Sequence, residues 1–459
     1  MRVDKELESL KEDLVKAVQE SIRFKSVKSQ QAEPGAPFGE GIREALDWVL
    51  ALGRNLGFTV KNVDGYAGHI EMGSGELLGI LGHLDVVPEG DGWSVPPYSA
   101  VLKDGRIYGR GAMDDKGPSL AALFAMKAIK DAGIPLKKKV RLILGTDEES
   151  GWADMAYYFK KEEVPKLGFA PDAEFPVIHA EKGMLHVAVS KDYPALRHIL
   201  AISGGERANM VPDACQANLQ GISPAVVAGK LREFAFPHGV SAEIRKQEPL
   251  ELVFHGVGAH GSLPQNGKNA VIYALRFLRS LSLSADENAL LDWLLAHPCQ
   301  GFSGEGLGIT FEDEPSGRLS LNLGLLQMTS ERLRFVIDIR YPVTFRREDV
   351  LAPITQLATQ GGYSVQVLQD YAPHYVPKDS ELVQALLKAY ADVTGLEPYA
   401  FAIGGGTYAK TMPQGVAFGP VLPGEPEVIH CPDEYITLDS LVLSARVYAQ
   451  AILNLAQAE

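Results

Sequence analysis

The chain has 459 residues, a formal net charge of −14 and three cysteines. With 46% hydrophobic and 22% charged residues it reads as globular and is long enough for two or three domains. The acidic balance argues against nucleic acid or an anionic membrane surface as a partner, and Cys215, Cys299 and Cys431 lie too far apart for a disulfide framework or a Cys-x-x-Cys metal site.

The N-terminus carries no apolar signal core, and no stretch of about 18 uncharged apolar residues occurs to span a membrane. Together with the scattered cysteines, this reads as a cytoplasmic protein with reduced thiols. Residues 7–22 place Leu10, Leu14, Ala17 and Val18 at helical spacing. A Gly/Pro-bearing loop follows to Gly41, then a second helical stretch to Leu56.

Leu77 to Leu81 is a continuous apolar run of the kind that forms a buried strand. It ends in Gly82-His-Leu-Asp85. Residues two apart in extended backbone share a face, so the Asp85 carboxylate can accept from one nitrogen of His83 and leave the other for a metal. Next comes Tyr108-Gly-Arg-Gly-Ala-Met-Asp-Asp-Lys-Gly117, a turn opening a helix over 118–130. Gly109 and Gly111 permit a tight turn there. Adjacent side chains diverge, so one of Asp114 and Asp115 can face a pocket while the other serves the scaffold. A carboxylate with two oxygens can bridge two cations.

The strand Lys139 to Gly145 leads into Thr146-Asp-Glu-Glu-Ser-Gly151. Pro171-Asp-Ala-Glu-Phe-Pro176 offers Asp172 and Glu174, and residue type alone does not choose between them. Three acid- or His-bearing segments that follow apolar strands would converge where open α/β sheets bind ligands, outside the strands' carboxyl ends.

From about Lys182 strands and helices mix without βαβ order, which suggests an α+β insert. No internal repeat is visible. His260 stands in Gly258-Ala-His-Gly-Ser262, Asn209 in an apolar setting, and Arg340 beside Asp338, where it can clamp a carboxylate or pair with that acid. Gly404-Gly405-Gly406-Thr407 can present backbone N–H groups to an anion but lacks the spacing of a nucleotide loop. His430 precedes a final helix over 438–456, and the side chain of its neighbour Cys431 would point elsewhere.

Together these motifs resemble the co-catalytic zinc peptidases that include carnosinases, aminoacylases and succinyl-diaminopimelate desuccinylase, and most closely their PepV-type bacterial dipeptidases. The most specific parts are Gly82-His-Leu-Asp-Val-Val-Pro88, the Gly109–Gly117 turn and Gly145-Thr-Asp-Glu-Glu-Ser-Gly-Trp152. The resemblance implies two Zn²⁺ per chain, with Mn²⁺ or Co²⁺ as alternatives. His83 and Asp172 would bind one ion, Glu149 and His430 the other, and Asp114 would bridge them through a cis peptide to Asp115. Glu148 matches the general base, Asp85 the acid that orients His83, and His260 the oxyanion-stabilising histidine. Asn209, Arg340, Gly405, Gly406 and Thr407 would surround the substrate.

The implied fold is α/β: a zinc-exopeptidase-like catalytic domain with a central mixed sheet flanked by helices, built from residues 1–181 and 373–459. Residues 182–372 would form an inserted α+β lid domain. Its size implies a monomer acting on dipeptides. The rivals are an N-acyl amino acid deacylase or desuccinylase of the same superfamily and a non-catalytic metal-binding scaffold. The second is disfavoured because all seven matched metal and acid–base positions hold the required chemistry.

Overall fold

The computed structural model of the chain describes residues 2–426 and 428–457. It contains two compact units. Unit 1 comprises Met1–His179, Tyr375–Phe401 and Gly406–Glu459; unit 2 comprises Ala180–His374 and Ala402–Gly405.

Unit 1 is built on a mixed sheet. Four parallel strands form its centre, in the order Lys139–Gly145, Leu77–His83, Leu167–Ala170 and Gln414–Ala417. Ala67–Met72 and Thr59–Val63 extend one side antiparallel. The central strands are continuous apolar runs because both faces are covered. Leu78, Ile80, Val140, Leu142 and Leu144 join the large core under the helices. Leu81 and Ile143, on the alternate face, pack with Met155, Tyr158, Tyr408 and Met412.

The helix Lys116–Asp131 is buried from Lys116 through Met126. It therefore shows no polar face. The helices Arg2–Ile22 and Leu438–Ala456 enclose it, and Glu381–Thr394 packs on the latter. Its N-terminus sits against the sheet next to His83. There Gly82 is obligatory, since a Cβ would lie 1.9 Å from Ser119 Oγ.

Unit 2 carries an eight-stranded antiparallel sheet. Its order is Ser241–Gln247, Leu250–His255, Ala214–Leu219, Ile199–Gly204, Ser320–Thr329, Arg332–Tyr341, Gly183–Asp192 and Ser364–Tyr371. The order contains a repeat that the sequence does not display. Ile199–Gly204 and Ser320–Thr329 meet at the middle. On each side of that seam the chain forms a second strand, then a helix (Pro224–Glu233 or Arg347–Gln360), then an edge strand. A fourth strand slots in before each edge. In one half it is Leu250–His255, next in the chain. In the other it is Gly183–Asp192, supplied from the start of the unit. The chain thus has an α/β unit with a mixed sheet and an inserted α+β unit.

Candidate metal centre

His83 closes its strand fully buried. Its Nδ1 lies 2.9 Å from the backbone oxygen of Asp85. A carbonyl oxygen only accepts, so Nδ1 carries a proton and Nε2 is the nitrogen that faces the acids. That Nε2 lies 2.9 Å from Asp114 Oδ1 and 3.5 Å from Asp172 Oδ2. The Asp85 carboxylate, expected to orient the ring, stands back at 3.5 Å from Nδ1. Its two oxygens accept instead from the backbone N–H groups of Glu148 and Glu149, at 3.1 Å each. Asp85 thus orients the imidazole through its main chain and the glutamate turn through its side chain.

The other oxygen of Asp114, Oδ2, lies 2.9 Å from His430 Nε2. Glu149 Oε1 lies 3.0 Å from the same nitrogen. Two groups result, His83–Asp114–Asp172 and Asp114–Glu149–His430, each with its ligand atoms within 4.8 Å of one another. Asp114 alone belongs to both. The peptide bond from Asp114 to Asp115 is cis. Asp115 Oδ2 accepts from the His83 backbone N–H at 3.1 Å and from Ser119 Oγ at 2.9 Å. Of the two acids after Pro171, Asp172 joins the group with His83. Glu174 lies in the short strand Ala173–Glu174, which pairs with Pro420–Val421.

The electrostatics are those of crowded acids drawing in positive charge. Burial alone would lower His83, but the Asp172 charge and its other acidic neighbours raise it well above its ordinary value. Burial works the same way on His430, and Asp114 and Glu149 overcome it to push the imidazole up to about 11. Asp114 is pulled below the usual carboxylate range by the two imidazoles, against its own burial. Burial, then the Asp172 charge, raises Glu148; burial takes Asp172 up to about 7.

These donors fit a divalent cation. His83 Nε2 and Asp114 Oδ1 are both buried and neither has a hydrogen-bond partner among the described residues, although they are 2.9 Å apart. Two such atoms can share positive charge, either a proton or a cation that displaces it and that both can ligate. An imidazole-and-carboxylate set without a thiolate suits Zn²⁺, Mn²⁺ or Co²⁺. Cys431 is exposed and belongs to neither group.

Two supporting acids escaped sequence reasoning. Glu434 is fully buried. Its Oε1 accepts from the backbone N–H groups of Gly111, Met113 and Asp114. Asp154, also buried, accepts from the N–H groups of Thr146 and Asp147 and from the Tyr408 hydroxyl. The Tyr408 ring meets the His83 ring edge to face at 6.3 Å. No motif signals either acid, because most of their partners are main-chain N–H groups, which every residue but proline carries.

The expected substrate residues divide between the units. Asn209, His260, Arg340 and Gly405 lie in unit 2. Within it, Gly261 N–H donates to the Asn209 carbonyl at 2.6 Å. A Cβ on Gly404 would meet that of Ser262 at 2.7 Å. Arg340 donates through Nε and Nη2 to Asp338 at 2.8 and 3.0 Å, and through Nη1 to the Gly404 carbonyl at 2.6 Å. Gly406 and Thr407 belong to unit 1, where the Thr407 hydroxyl caps the turn Tyr408–Thr411.

Comparison with known proteins gives the family of the chain. Residues 79–454 match the model for peptidase family M20/M25/M40. A Bacillus subtilis (strain 168) protein named "Putative dipeptidase YtjP" is 41% identical over 456 residues, covering 97% of this chain and 98% of the relative. Human carnosine dipeptidase 1 superposes with a TM-score of 0.59 at 16% identity, covering 98% of both chains. The Saccharomyces cerevisiae di-peptidase Dug1p gives 0.59 at 15%, covering 99% of this chain and 98% of that one. The chain belongs to peptidase family M20/M25/M40 and is a metallopeptidase.

Proposed function

We propose that this enzyme hydrolyses the peptide bond of unblocked dipeptides with two divalent cations, Zn²⁺ or alternatively Mn²⁺ or Co²⁺. The observation that carries the reading is Asp114, whose two oxygens each lie 2.9 Å from the Nε2 of a different histidine. The name of the Bacillus subtilis relative supports the dipeptide as substrate. His83 and Asp172 would hold one cation, Glu149 and His430 the other, with Asp114 shared. Bound there, the pair would lower the pKa of a water and polarise the scissile carbonyl.

The side chains supply the proton handling and the recognition. Glu148 takes the proton of the attacking water and returns it to the leaving amine. His260 donates to the oxyanion. Its Nδ1 receives the Ser262 backbone N–H at 3.3 Å, so Nδ1 is an acceptor and Nε2 carries the proton to donate. Arg340 binds the substrate's C-terminal carboxylate. Asp338 and the Gly404 carbonyl pin its guanidinium, and the second hydrogen on each Nη is the proposed donor. Asn209, Gly405, Gly406 and Thr407 complete the substrate surround. All three cysteines are unpaired, which supports a reducing cytoplasmic setting.

Chelation should abolish cleavage of a dipeptide panel, and Zn²⁺, Mn²⁺ or Co²⁺ should restore it. N-acyl amino acids should turn over far more slowly in the same assay. Full activity in protein shown to be metal-free, or preferred cleavage of acyl amino acids, would overturn the reading.

Glu148→Ala should lower kcat by roughly 10²–10⁴ or more while metal content persists. A variant that loses its metals yet keeps its activity per metal would exchange the roles of Glu148 and Glu149.

An unblocked dipeptide should be cleaved far better than its C-terminal amide, and Arg340→Ala should erase most of that preference. A buried charged contact of this kind is worth about 2–5 kcal/mol. Because alanine also leaves the buried Asp338 with only His186 Nε2, at 3.4 Å, to face it, Arg340→Lys serves as the control that keeps the charge. Equal kcat/KM on dipeptide and amide with the unmodified enzyme would refute carboxylate recognition.

The two four-stranded halves already joined inside unit 2 support a monomer with His260 acting in its own chain. Light scattering should give a mass near 50 kDa, the 49.7 kDa of one chain. A stable dimer would contradict it.

A further inference from the structure

We infer that Glu434 is a positioning residue of the metal centre, fixing the turn that carries Asp114 against the loop that carries His430. The inference rests on the reading of these residues as ligands to divalent cations.

Glu434 is four residues beyond His430 in the chain. Its Oε1 gathers three N–H groups from one turn: Gly111 at 3.1 Å, Met113 at 2.9 Å and Asp114 at 3.2 Å. Its Oε2 takes Arg110 Nη1 at 2.7 Å. Its backbone oxygen accepts from Gly109 N–H at 2.9 Å. Beyond it, Tyr435–Thr437 pairs with Arg106–Tyr108. One residue therefore binds the turn 109–114 at five points. A carboxylate on convergent N–H groups is charge-assisted and holds their geometry tightly.

The His430 loop needs such an anchor. His430 and Asp433 both adopt left-handed backbone, at φ +59° and +57°. Residues with a Cβ rarely occupy that region, and they persist there only where the surroundings over-determine them. At one flank Ser94 N–H donates to Asp433 Oδ1 at 2.8 Å. At the end of the loop stands Glu434. It links the turn of Asp114, whose two oxygens face His83 and His430, to the loop that carries His430. Arg110 is the clamp: 1% exposed, it also donates to the Glu89 carbonyl at 3.2 Å and stacks over Trp93 at 5.2 Å.

A plain structural role would lower thermal stability and leave metal binding unchanged in the folded protein. The positioning role reaches the ligand field itself. In Glu434→Gln one oxygen can still serve the N–H groups, but the amide NH₂ must face the Arg110 guanidinium, and the clamp is lost.

The test uses the full chain, stripped of metal and titrated with Zn²⁺ in competition with a chelator, well below the melting temperature of each variant. Glu434→Gln should bind Zn²⁺ about 10–100-fold more weakly, the usual effect of losing a group that supports a ligand. Its Co²⁺-loaded form should show an altered visible spectrum. A folded Glu434→Gln with unchanged Zn²⁺ affinity and an unchanged Co²⁺ spectrum would overturn the inference. Should that variant not fold, Arg110→Lys decides. It keeps the positive charge and the Glu434 contacts to the turn but loses the fixed fork. It should weaken Zn²⁺ about tenfold, and an unchanged affinity and spectrum would overturn the inference equally. Unmodified protein that takes up no Zn²⁺ would instead overturn the dinuclear reading on which the inference stands.

Discussion

The constraint on which this structure depends is the packing of like charge at one end of an apolar sheet. Asp85, Asp114, Asp115, Glu148, Glu149 and Asp172 gather around two imidazoles, and Asp154 and Glu434 lie just outside them. Buried carboxylates are costly unless each finds donors or cations. The chain meets the cost in two ways. Asp85, Asp115, Asp154 and Glu434 accept backbone N–H groups. Asp114 and Glu149 face His430, and Asp114 and Asp172 face His83. The first set also organises the second. Asp115 fixes the main chain of His83, Asp85 that of the two glutamates, Glu434 that of Asp114, and Asp154 the strand end before them. Acids that hold the scaffold and acids that await positive charge are thus adjacent in sequence but separate in work, most plainly at Asp114 and Asp115.

Much of this follows from patterns a sequence displays. Continuous apolar runs marked Leu77–His83 and Lys139–Gly145, because a strand buried on both faces has no polar alternation to hide it. The acids and histidine at their ends stood out for the same reason, as polar residues stopping apolar runs. What a sequence does not carry is the partner of a carboxylate when that partner is a main-chain N–H. Glu434 lies 323 residues from Gly111. Every residue but proline offers the same N–H group, so no residue type points to it. Asp85 shows the same difficulty: its carbonyl takes the His83 ring at 2.9 Å, while its carboxylate, 3.5 Å from that ring, accepts from the N–H groups of Glu148 and Glu149.

Unit 2 was less legible. Its edge strand Ser241–Gln247 is mostly exposed and reads as polar chain. The helix Ala285–Ala296 shows little separation of apolar and polar faces. The repeat of strand order is hidden for a topological reason. One half takes its fourth strand from Leu250–His255, after the edge strand, and the other from Gly183–Asp192, at the start of the unit, so the full four-stranded half does not recur in chain order. A repeat of arrangement needs only matching hydrophobic faces and connections, and these leave side-chain identity free.

The division into units bears on what substitutions can do. His83, Asp85, Asp114, Glu148, Glu149, Asp172 and His430 all belong to unit 1, and the acids that position them do as well. Metal affinity should therefore be a property of one fold, set by its buried carboxylates. Asn209, His260 and Arg340 belong to unit 2, where Asp338 and the Gly404 carbonyl fix the guanidinium. Asp338 is itself buried. Burial pushes its carboxyl up, but the Arg340 charge holds it below the usual carboxylate range. Each half of the pair thus keeps the other in place, and neither has a metal ligand as a hydrogen-bond partner. A substitution in unit 2 should change which substrates are selected while the metal centre keeps its affinity. A substitution among the unit 1 carboxylates should change the centre for every substrate alike. On the proposed reading, the chemistry and the selectivity of this enzyme would rest on separate buried ion networks, the carboxylates of unit 1 and the Arg340–Asp338 pair of unit 2.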